Sequence, residues 1–193
     1  MNIGIYIYDD AEVLDFAGPF EVFSTADRIV SSDEIFNVFL VSESGGLVAA
    51  RNGFQVQTSY GFSDHPAIDV LIVAGGVHEG ELLKATVLRW IRQQADGATL
   101  VASVCTGAFL LAEAGVITDE TVTTHWEDLG DLRERYPSLD VTAQRRWVDT
   151  GRIITSAGIS AGIDMSLHLV SRLHSRELAL KTAKKMEFAW SES

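Results

Sequence analysis

The stretch that decides the fold of this 193-residue chain is Leu100-Val-Ala-Ser-Val-Cys-Thr-Gly107. Residues 99–104 are apolar or small on both faces of a pleat, as in a strand that helices cover on both sides. Residues 106–114 have helical character, and Gly115 follows where a glycine commonly ends a helix. The stretch therefore predicts a buried strand that passes directly into a helix, with Cys105 at the junction.

The same alternation of strand and helix runs through the rest of the chain. Strands of the buried kind are predicted at residues 2–8, 36–41 and 69–74, and helices at 18–28, 82–94, 127–136, 160–174 and 176–185. Such alternation implies parallel pairing with right-handed crossovers. We predict an α/β fold, a three-layer, doubly wound, mostly parallel sheet with helices on both faces. Residues 47–58 and a hairpin at 147–155 would form a small antiparallel addition.

Composition narrows the classes of function. The length of 193 residues favours one domain over residues 1–193. The net charge of −12 opposes binding to nucleic acid and to anionic membranes. The single cysteine excludes an internal disulfide, and the five histidines lack metal-ligand spacing, so we expect no metal site and no cofactor. The N-terminus lacks the features of a signal peptide, which favours the cytoplasm.

Ligands of doubly wound sheets bind beyond the carboxyl ends of the strands, which directs attention to Cys105. A cysteine at a helix N-terminus is expected to have more thiolate character. Backbone N–H groups of Gly75, Gly76 and Thr106 could form an oxyanion hole, and Asp15 could be a carboxyl group that stays protonated beside the thiolate. Buried free cysteines are usually inert, however, and the residues alone leave a reactive and an inert Cys105 equally supported.

Other candidates have weaker patterns. Gly158-Ile-Ser-Ala-Gly162 matches the Gly-x-Ser-x-Gly turn of serine hydrolases. Too few residues follow it for the usual acid and histidine, so we interpret it as a turn in which Ser160 caps a helix and which lines the pocket. His125 could face Cys105, although a histidine with a structural role is the more common case. For His78 a solvated loop at the pocket rim is favoured.

Five motifs in order resemble the ThiJ/PfpI superfamily, whose fold is flavodoxin-like and similar to that of class I glutamine amidotransferases. The motifs are Asp15-Phe-Ala-Gly-Pro-Phe-Glu-Val-Phe23, Ala74-Gly-Gly76, Ser103-Val-Cys-Thr-Gly107, Thr123-Thr-His-Trp126 and Ser156-Ala-Gly-Ile-Ser-Ala-Gly-Ile-Asp164. The chain looks most like the isocyanide hydratase branch, in which threonine follows the cysteine and aspartate is the acid. The protease-like branch has histidine where this chain has Thr106, which disfavours peptidase activity.

The resemblance implies a lyase that hydrates an isocyanide to an N-substituted formamide through a thioimidate. Cys105 would be the nucleophile, Asp15 the neighbouring acid, and the Thr106 hydroxyl a group that orients water. The resemblance also implies a homodimer and a small-molecule substrate. The residues expected to bind substrate or developing charge are Gly75, Gly76, Val77, His125, Gly158 and Ile159.

Three alternatives stay open at this point. Glyoxalase or deglycase chemistry on α-oxoaldehydes would use the same cysteine. A redox sensor would oxidise an accessible, acidic Cys105 to the sulfinic acid. A ligand-binding domain related to transcriptional regulators would need no catalysis, although we expect no DNA-binding helices after Trp190.

Overall fold

The computed structural model describes residues 1–30 and 35–192. The strands are β1 (Asn2–Tyr6), β2 (Asn37–Val41), β3 (Gly46–Ala50), β4 (Phe54–Thr58), β5 (Val70–Val73), β6 (Leu100–Val104), β7 (Thr121–Val122), β8 (Asp140–Val141), β9 (Trp147–Asp149) and β10 (Ile153–Ser156). The helices are α1 (Val13–Val30), α2 (Ala85–Gly97), α3 (Gly107–Glu113), α4 (Leu129–Arg135), α5 (Ala161–Leu173) and α6 (Arg176–Lys185).

Six of these strands form the central sheet, in the order β2-β1-β5-β6-β10-β9. The first five run parallel, and β9 pairs antiparallel with β10. The predicted mostly parallel, doubly wound sheet is therefore confirmed. The chain moves outward from β1 in both directions, so the crevice of the fold opens where β1 and β5 end.

Helices cover the sheet on both faces and give the three predicted layers. Helices α1, α5 and α6 pack against one another on one face, whereas α2 and α3 pack together on the other. Strands β5, β6 and β10 are buried along their whole length, which explains why their sequences are apolar without alternation. The antiparallel pair β3–β4 is the small addition expected from residues 47–58.

The first helix differs from its prediction. It begins at Val13, whereas Gly18-Pro19 led us to place its start at residue 18. Pro19 lies inside the helix, where it lacks the N–H that would bond to the carbonyl group of Asp15. Close packing compensates, because a Cβ atom on Gly18 would lie 2.9 Å from Cγ1 of Ile163 in α5. Tertiary contact thus outweighs the local preference of proline.

Smaller differences concern short elements. A 3₁₀ turn at Glu81–Leu83 precedes α2, which continues to Gly97 rather than ending at residue 94. The two-residue parallel pair β7–β8 was not predicted, since it is too short for a periodic pattern. Within residues 1–30 and 35–192, no helix combines the length and the apolar character that a bilayer crossing requires.

Candidate active site

The carboxyl ends of the strands surround a pocket of about 340 Å³. Most of the predicted site residues line it; Asp15, Gly75 and Gly158 do not. The predicted residues that reach the pocket are Gly76, Val77, Cys105, Thr106, His125 and Ile159. The fold therefore brings together side chains that follow four different strands.

Cys105 lies at the floor of the pocket in a strained backbone conformation. Its φ of 55° is in the left-handed region, which is unfavourable for a residue with a Cβ atom. The surrounding hydrogen bonds hold it there: its N–H donates to the carbonyls of Ser156 at 3.2 Å and Ala157 at 3.3 Å. The Thr124 hydroxyl donates to its carbonyl at 2.8 Å. The strained turn places Cys105 in the pocket, and 7% of the residue is exposed.

Asp15 lies in the first turn of α1 and is fully buried behind the cysteine. Its Oδ2 accepts a hydrogen bond from the Gly75 N–H at 3.1 Å, whereas its Oδ1 has no hydrogen bond of standard geometry. Burial, followed by the charge of Glu12, raises the pKa of Asp15 to about 7. The Gly75 N–H, the Cys105 thiol and the Ile159 N–H partly offset this rise. A raised pKa is the direction expected from the sequence.

Glycine is required where Asp15 meets the cysteine turn. A Cβ atom on Gly75 would lie 2.6 Å from the Thr106 nitrogen and 2.8 Å from Oδ2 of Asp15. Such distances are shorter than a Cβ atom tolerates, so any larger residue would separate the two groups. Gly75 thus allows the end of β5 to lie between the carboxyl group and the turn.

The sequence predicted a lowered pKa for the Cys105 thiol, and this direction was wrong. Burial, followed by the charge of Asp15, raises the pKa of the Cys105 thiol, and the Thr106 N–H offsets only part of that rise. Helix α3 has seven residues and its dipole does not overcome the cost of burial. Asp15 and Cys105 therefore act as one coupled pair that keeps a single shared proton over a wide range of pH.

Gly75 and Gly76 do not form the oxyanion hole that the sequence predicted, because both of their N–H groups already donate hydrogen bonds within the protein. The Gly75 N–H already bonds to Asp15. The Gly76 N–H donates to Oγ1 of Thr106 at 2.9 Å, and the Thr106 hydroxyl donates back to the Gly76 carbonyl at 3.0 Å. The Thr106 N–H is the predicted donor that acts on the sulfur, since it lowers the pKa of the thiol.

His125 lies in the pocket wall, in contact with Gly158. Its Nδ1 accepts a long hydrogen bond from the Glu127 N–H at 3.4 Å and lies 3.5 Å from Oδ2 of Asp128. A Cβ atom on Gly158 would lie 2.0 Å from Cδ2 of the ring, so the glycine makes room for the histidine. His78 also lines the pocket, but it is buried against Phe109 rather than solvated, which corrects the sequence-based interpretation.

Ser160 does not occupy a nucleophile position. Its φ of −66° and ψ of −20° are helical, and the strained residue of that turn is Ile159, with a φ of 52°. The serine side chain makes no capping bond to α5, contrary to the prediction; its Oγ accepts a hydrogen bond from Arg146 at 3.3 Å. The Gly-x-Ser-x-Gly pattern therefore marks a turn beside the pocket.

The charged residues of the pocket wall were missed by the sequence analysis. Four carboxylates and one guanidinium line the cavity: Glu12, Glu79, Glu127, Asp128 and Arg51. Arg51 Nε lies 3.9 Å from Oε2 of Glu12, which leaves the other carboxylates without a lysine or arginine in the wall. Loops of unrelated sequence bring these residues together, so no local pattern predicts them. Among the described residues, no group of three or more metal-ligating side chains could hold a metal ion.

Comparison with known proteins identifies the family. The profile of the DJ-1/PfpI family matches residues 1–172. The chain belongs to this family. One relative is an isonitrile hydratase from Pseudomonas putida, 31% identical over 191 residues, which cover 98% of this chain and 79% of the relative. Another is the HTH-type transcriptional regulator GbdR from Pseudomonas aeruginosa, 31% identical over 92% of this chain and 48% of the regulator. The chain thus spans about half the length of such regulators.

Solved structures of DJ-1/PfpI proteins share the fold. A ThiJ/PfpI family protein from Pseudomonas syringae superposes with a TM-score of 0.86 at 24% identity, over 98% of this chain and 76% of that one. DJ-1beta from Drosophila melanogaster superposes with a TM-score of 0.82 at 20% identity, over 98% of both chains. At these identities the likeness establishes the fold alone.

Proposed function

We propose that the protein is a cysteine-dependent lyase that adds water to a small, uncharged electrophile, with isocyanides as its substrate class. The observation that carries this proposal is the placement of Cys105 at a strained turn on the pocket floor, directly in front of the fully buried Asp15. A nucleophile beside a proton donor is the minimum that covalent hydration needs. The similarity to the isonitrile hydratase supports the choice of isocyanide.

The first step forms the bond between the Cys105 sulfur and the terminal carbon of the isocyanide. The pair holds one proton, and the state with the proton on Asp15 leaves a thiolate to attack. Asp15 then gives its proton to the same carbon, which yields a thioimidate, R–N=CH–S–Cys, and an aspartate. The Thr106 N–H stabilises negative charge at the sulfur before attack.

The second step returns the enzyme to its starting state. A water molecule adds to the thioimidate carbon, one of its protons passes to the nitrogen, and the carbon–sulfur bond breaks. The products are an N-substituted formamide and the cysteine, with the remaining proton returned to the pair. Asp15 accepts that proton readily, because its pKa of about 7 is close to neutral pH. The Thr106 hydroxyl, expected to orient this water, already donates to the Gly76 carbonyl. We assign that role instead to His125, which lines the pocket.

The pocket walls favour an uncharged substrate. Their excess of carboxylates repels anions such as α-oxo acids. Val77 and Ile159, residues that are 46% and 39% exposed, present apolar surface at the same pocket. We therefore propose that the substituent of the isocyanide is apolar and that it lies against these two residues.

Turnover of an aryl and an alkyl isocyanide, compared with methylglyoxal, tests the proposal. Formamide production by the wild type and its loss in Cys105→Ser are expected, with little turnover of methylglyoxal. Conversion of methylglyoxal without any hydration of isocyanides would instead support the glyoxalase alternative. Oxidation sensing would use the same thiolate state of the pair, and mass spectrometry after mild peroxide separates it: an unmodified Cys105 would exclude the sensor.

A second candidate function is ligand binding without catalysis, because regulators such as GbdR match 92% of this chain. The same pocket would then bind a small molecule reversibly. In that case Cys105→Ser would keep its affinity for the ligand, and neither isocyanides nor methylglyoxal would be consumed by the wild type.

We further propose that residues 1–193 form one domain that works as a homodimer in the cytoplasm and needs no cofactor. Continuity of the hydrophobic core from β1 to α6 supports a single domain. Light scattering coupled to size exclusion at micromolar concentration is expected to give twice the 21.1 kDa chain mass. A mass of one chain would contradict the dimer.

A further inference from the structure

Asp164 is a buried carboxylate that the proposed reaction does not use. It ends the last of the five sequence motifs, lies in the first turn of α5 and is only 1% exposed. Burial of a charge is costly unless a partner compensates it, and an apolar residue of similar size would avoid that cost. A carboxylate kept in this place therefore calls for a role.

The hydrogen bonds of Asp164 join three segments that are distant in sequence. Its Oδ2 accepts a hydrogen bond at 2.5 Å from Nε of Arg146, the residue just before β9. Its Oδ1 accepts from the Ser191 N–H at 2.7 Å, and its backbone carbonyl accepts from the indole N–H of Trp190 at 3.1 Å. Both carboxylate oxygens are thus bound by partners from outside α5.

Arg146 connects this carboxylate to the turn from β10 to α5. Its backbone carbonyl accepts the Ala157 N–H at 2.8 Å, and its Nη2 donates to Oγ of Ser160 at 3.3 Å. One arginine therefore contacts both ends of this turn, residues 157–160. We call the ion pair between Asp164 and Arg146, with these two hydrogen bonds, the α5 clamp.

The clamped turn holds Cys105 in its strained conformation. The Cys105 N–H donates to the carbonyls of Ser156 and Ala157, the residues at which the turn begins. In addition, the first turn of α5 packs on Val104, because a Cβ atom on Gly162 would lie 2.9 Å from Cγ1 of that valine. Cys105 is therefore fixed by the turn and by the helix that the α5 clamp ties together.

We propose that Asp164 and Arg146 are positioning residues: their ion pair fixes the turn from β10 to α5 and thereby keeps Cys105 at its positive φ. Without the α5 clamp the turn loosens, Cys105 relaxes to a negative φ, and its thiol moves away from Asp15. This role rests on the proposed function of the Asp15–Cys105 pair and adds the contacts that keep the pair together.

Alkylation of Cys105 by iodoacetamide as a function of pH tests the role, with Asp164→Asn as the variant and Asp149→Asn as its matched control. Asp149 of β9 ties the same helix at its other end. Its Oδ2 lies 2.6 Å from Nε2 of His168 and accepts a hydrogen bond from Arg172 at 2.8 Å. Neither Asp149 nor these two partners line the pocket.

The two variants should differ in the pH at which Cys105 reacts. Asp164→Asn places an amide nitrogen where one of two donors needs an acceptor, so the α5 clamp opens. The alkylation midpoint should rise by about one unit toward the free-thiol value of about 8.5, and the rate at pH 7 should fall about fivefold with the thiolate fraction. Asp149→Asn leaves the pocket end of α5 clamped and should stay within about twofold of the wild type.

An unchanged midpoint in Asp164→Asn would overturn the proposal. Equal shifts in Asp164→Asn and Asp149→Asn would also overturn it, since both ion pairs would then only stabilise the fold. If Asp164→Asn weakens folding, Arg146→Lys keeps the buried carboxylate paired but lacks the planar group that also reaches Ser160. This variant should shift the midpoint in the same direction by a smaller amount, and no shift would contradict the proposed role.

A double variant checks that the two residues act as one unit. Once Asp164→Asn has opened the α5 clamp, added Arg146→Ala should change the alkylation rate by less than a further twofold, and additive losses would contradict the ion pair as the cause. The charged neighbours of the pair, Glu12 and Asp128, are unchanged in all these variants. The assay contains no isocyanide, so a protein that fails to hydrate isocyanides can still support or refute this role.

Discussion

Two turns lie side by side at the pocket, after the neighbouring strands β6 and β10, and they differ in which residue holds the strained position. The turn from β6 to α3 has Cys105 at a φ of 55°, and the turn from β10 to α5 has Ile159 at a φ of 52°. The second turn carries the serine of a Gly-x-Ser-x-Gly pattern, but that serine comes one residue late and is helical. The strained position, and not the presence of a nucleophilic residue type, thus decides which side chain reaches the pocket floor.

Substitution of the nucleophilic residue type in each turn should produce the largest difference in activity between the two turns. We expect Cys105→Ser to reduce isocyanide turnover by about 10³-fold or more, because a serine oxygen beside Asp15 is a much poorer nucleophile. Ser160→Ala should retain activity within about twofold, since its hydroxyl makes only one long bond to Arg146. Comparable losses in the two variants, measured by formamide release, would mean that both turns take part in catalysis.

Asp15 interacts with both turns, because the Cys105 thiol and the Ile159 N–H each lower the pKa of its carboxyl group. Its pKa, raised from 3.8 to about 7, means that the folded protein holds the proton more tightly than the unfolded chain does. This contribution to stability is fully present below pH about 4 and is lost as the pH rises through about 7. The asparagine in Asp15→Asn cannot ionise. The free energy of unfolding of this variant, relative to that of the wild type, should therefore increase by on the order of 2–4 kcal/mol from pH 5 to pH 8.

Urea unfolding at pH 5 and pH 8 measures that difference, and Asp119→Asn, at an exposed carboxyl group, serves as the control. If the stability difference between Asp15→Asn and wild type does not change with pH, the buried carboxyl group is ionised at both pH values. That result would contradict a proton shared by Asp15 and Cys105.

A substitution at Gly158 tests whether the turn from β10 to α5 supports activity by making room for His125. A Cβ atom there would meet the His125 ring at 2.0 Å, so Gly158→Ala should displace the histidine and lower turnover about tenfold. Gly130→Ala is the control, since a Cβ atom at Gly130 has open space around it in α4. If Gly158→Ala keeps full activity with a displaced His125, the histidine has no part in the second step.

The carboxylates that line the pocket beside both turns should produce the smallest effect. Alkylation of Cys105 by iodoacetate, relative to iodoacetamide and normalised to a free thiol, should be several-fold slower because the walls are negative. Glu127→Gln should recover about twofold of that difference, and added salt should reduce it. Equal normalised rates for the two reagents would show that the pocket does not select by charge.

Much of this site was predictable because its framework depends on local patterns. Uninterrupted apolar runs identified the strands, and the carboxyl ends of parallel strands place Cys105 and Gly76 at the same edge. Hydrogen-bond pairing was not predictable, since only the folded chain shows that Gly76 and Thr106 satisfy each other. The direction of the thiol pKa was missed for a related reason: a helix N-terminus is visible in sequence, whereas the depth of burial is not.

The start of α1 illustrates the same limit. Gly18-Pro19 is a good local signal for a helix start, yet the helix begins five residues earlier, at Val13, because it packs on α5. That extension matters for function, since it places Asp15 inside the first turn of α1. Long-range packing, which sequence patterns do not report, therefore sets the position of the acid.

The pH dependence of Cys105 alkylation in wild type and Asp15→Asn tests the shared proton most directly. In the wild type the rate should rise with a midpoint near 7, where the pair loses its first proton. In Asp15→Asn no carboxyl group can take the thiol proton, and the midpoint should move above the free-thiol value of about 8.5. The same midpoint in both proteins would contradict the coupled pair and the mechanism built on it.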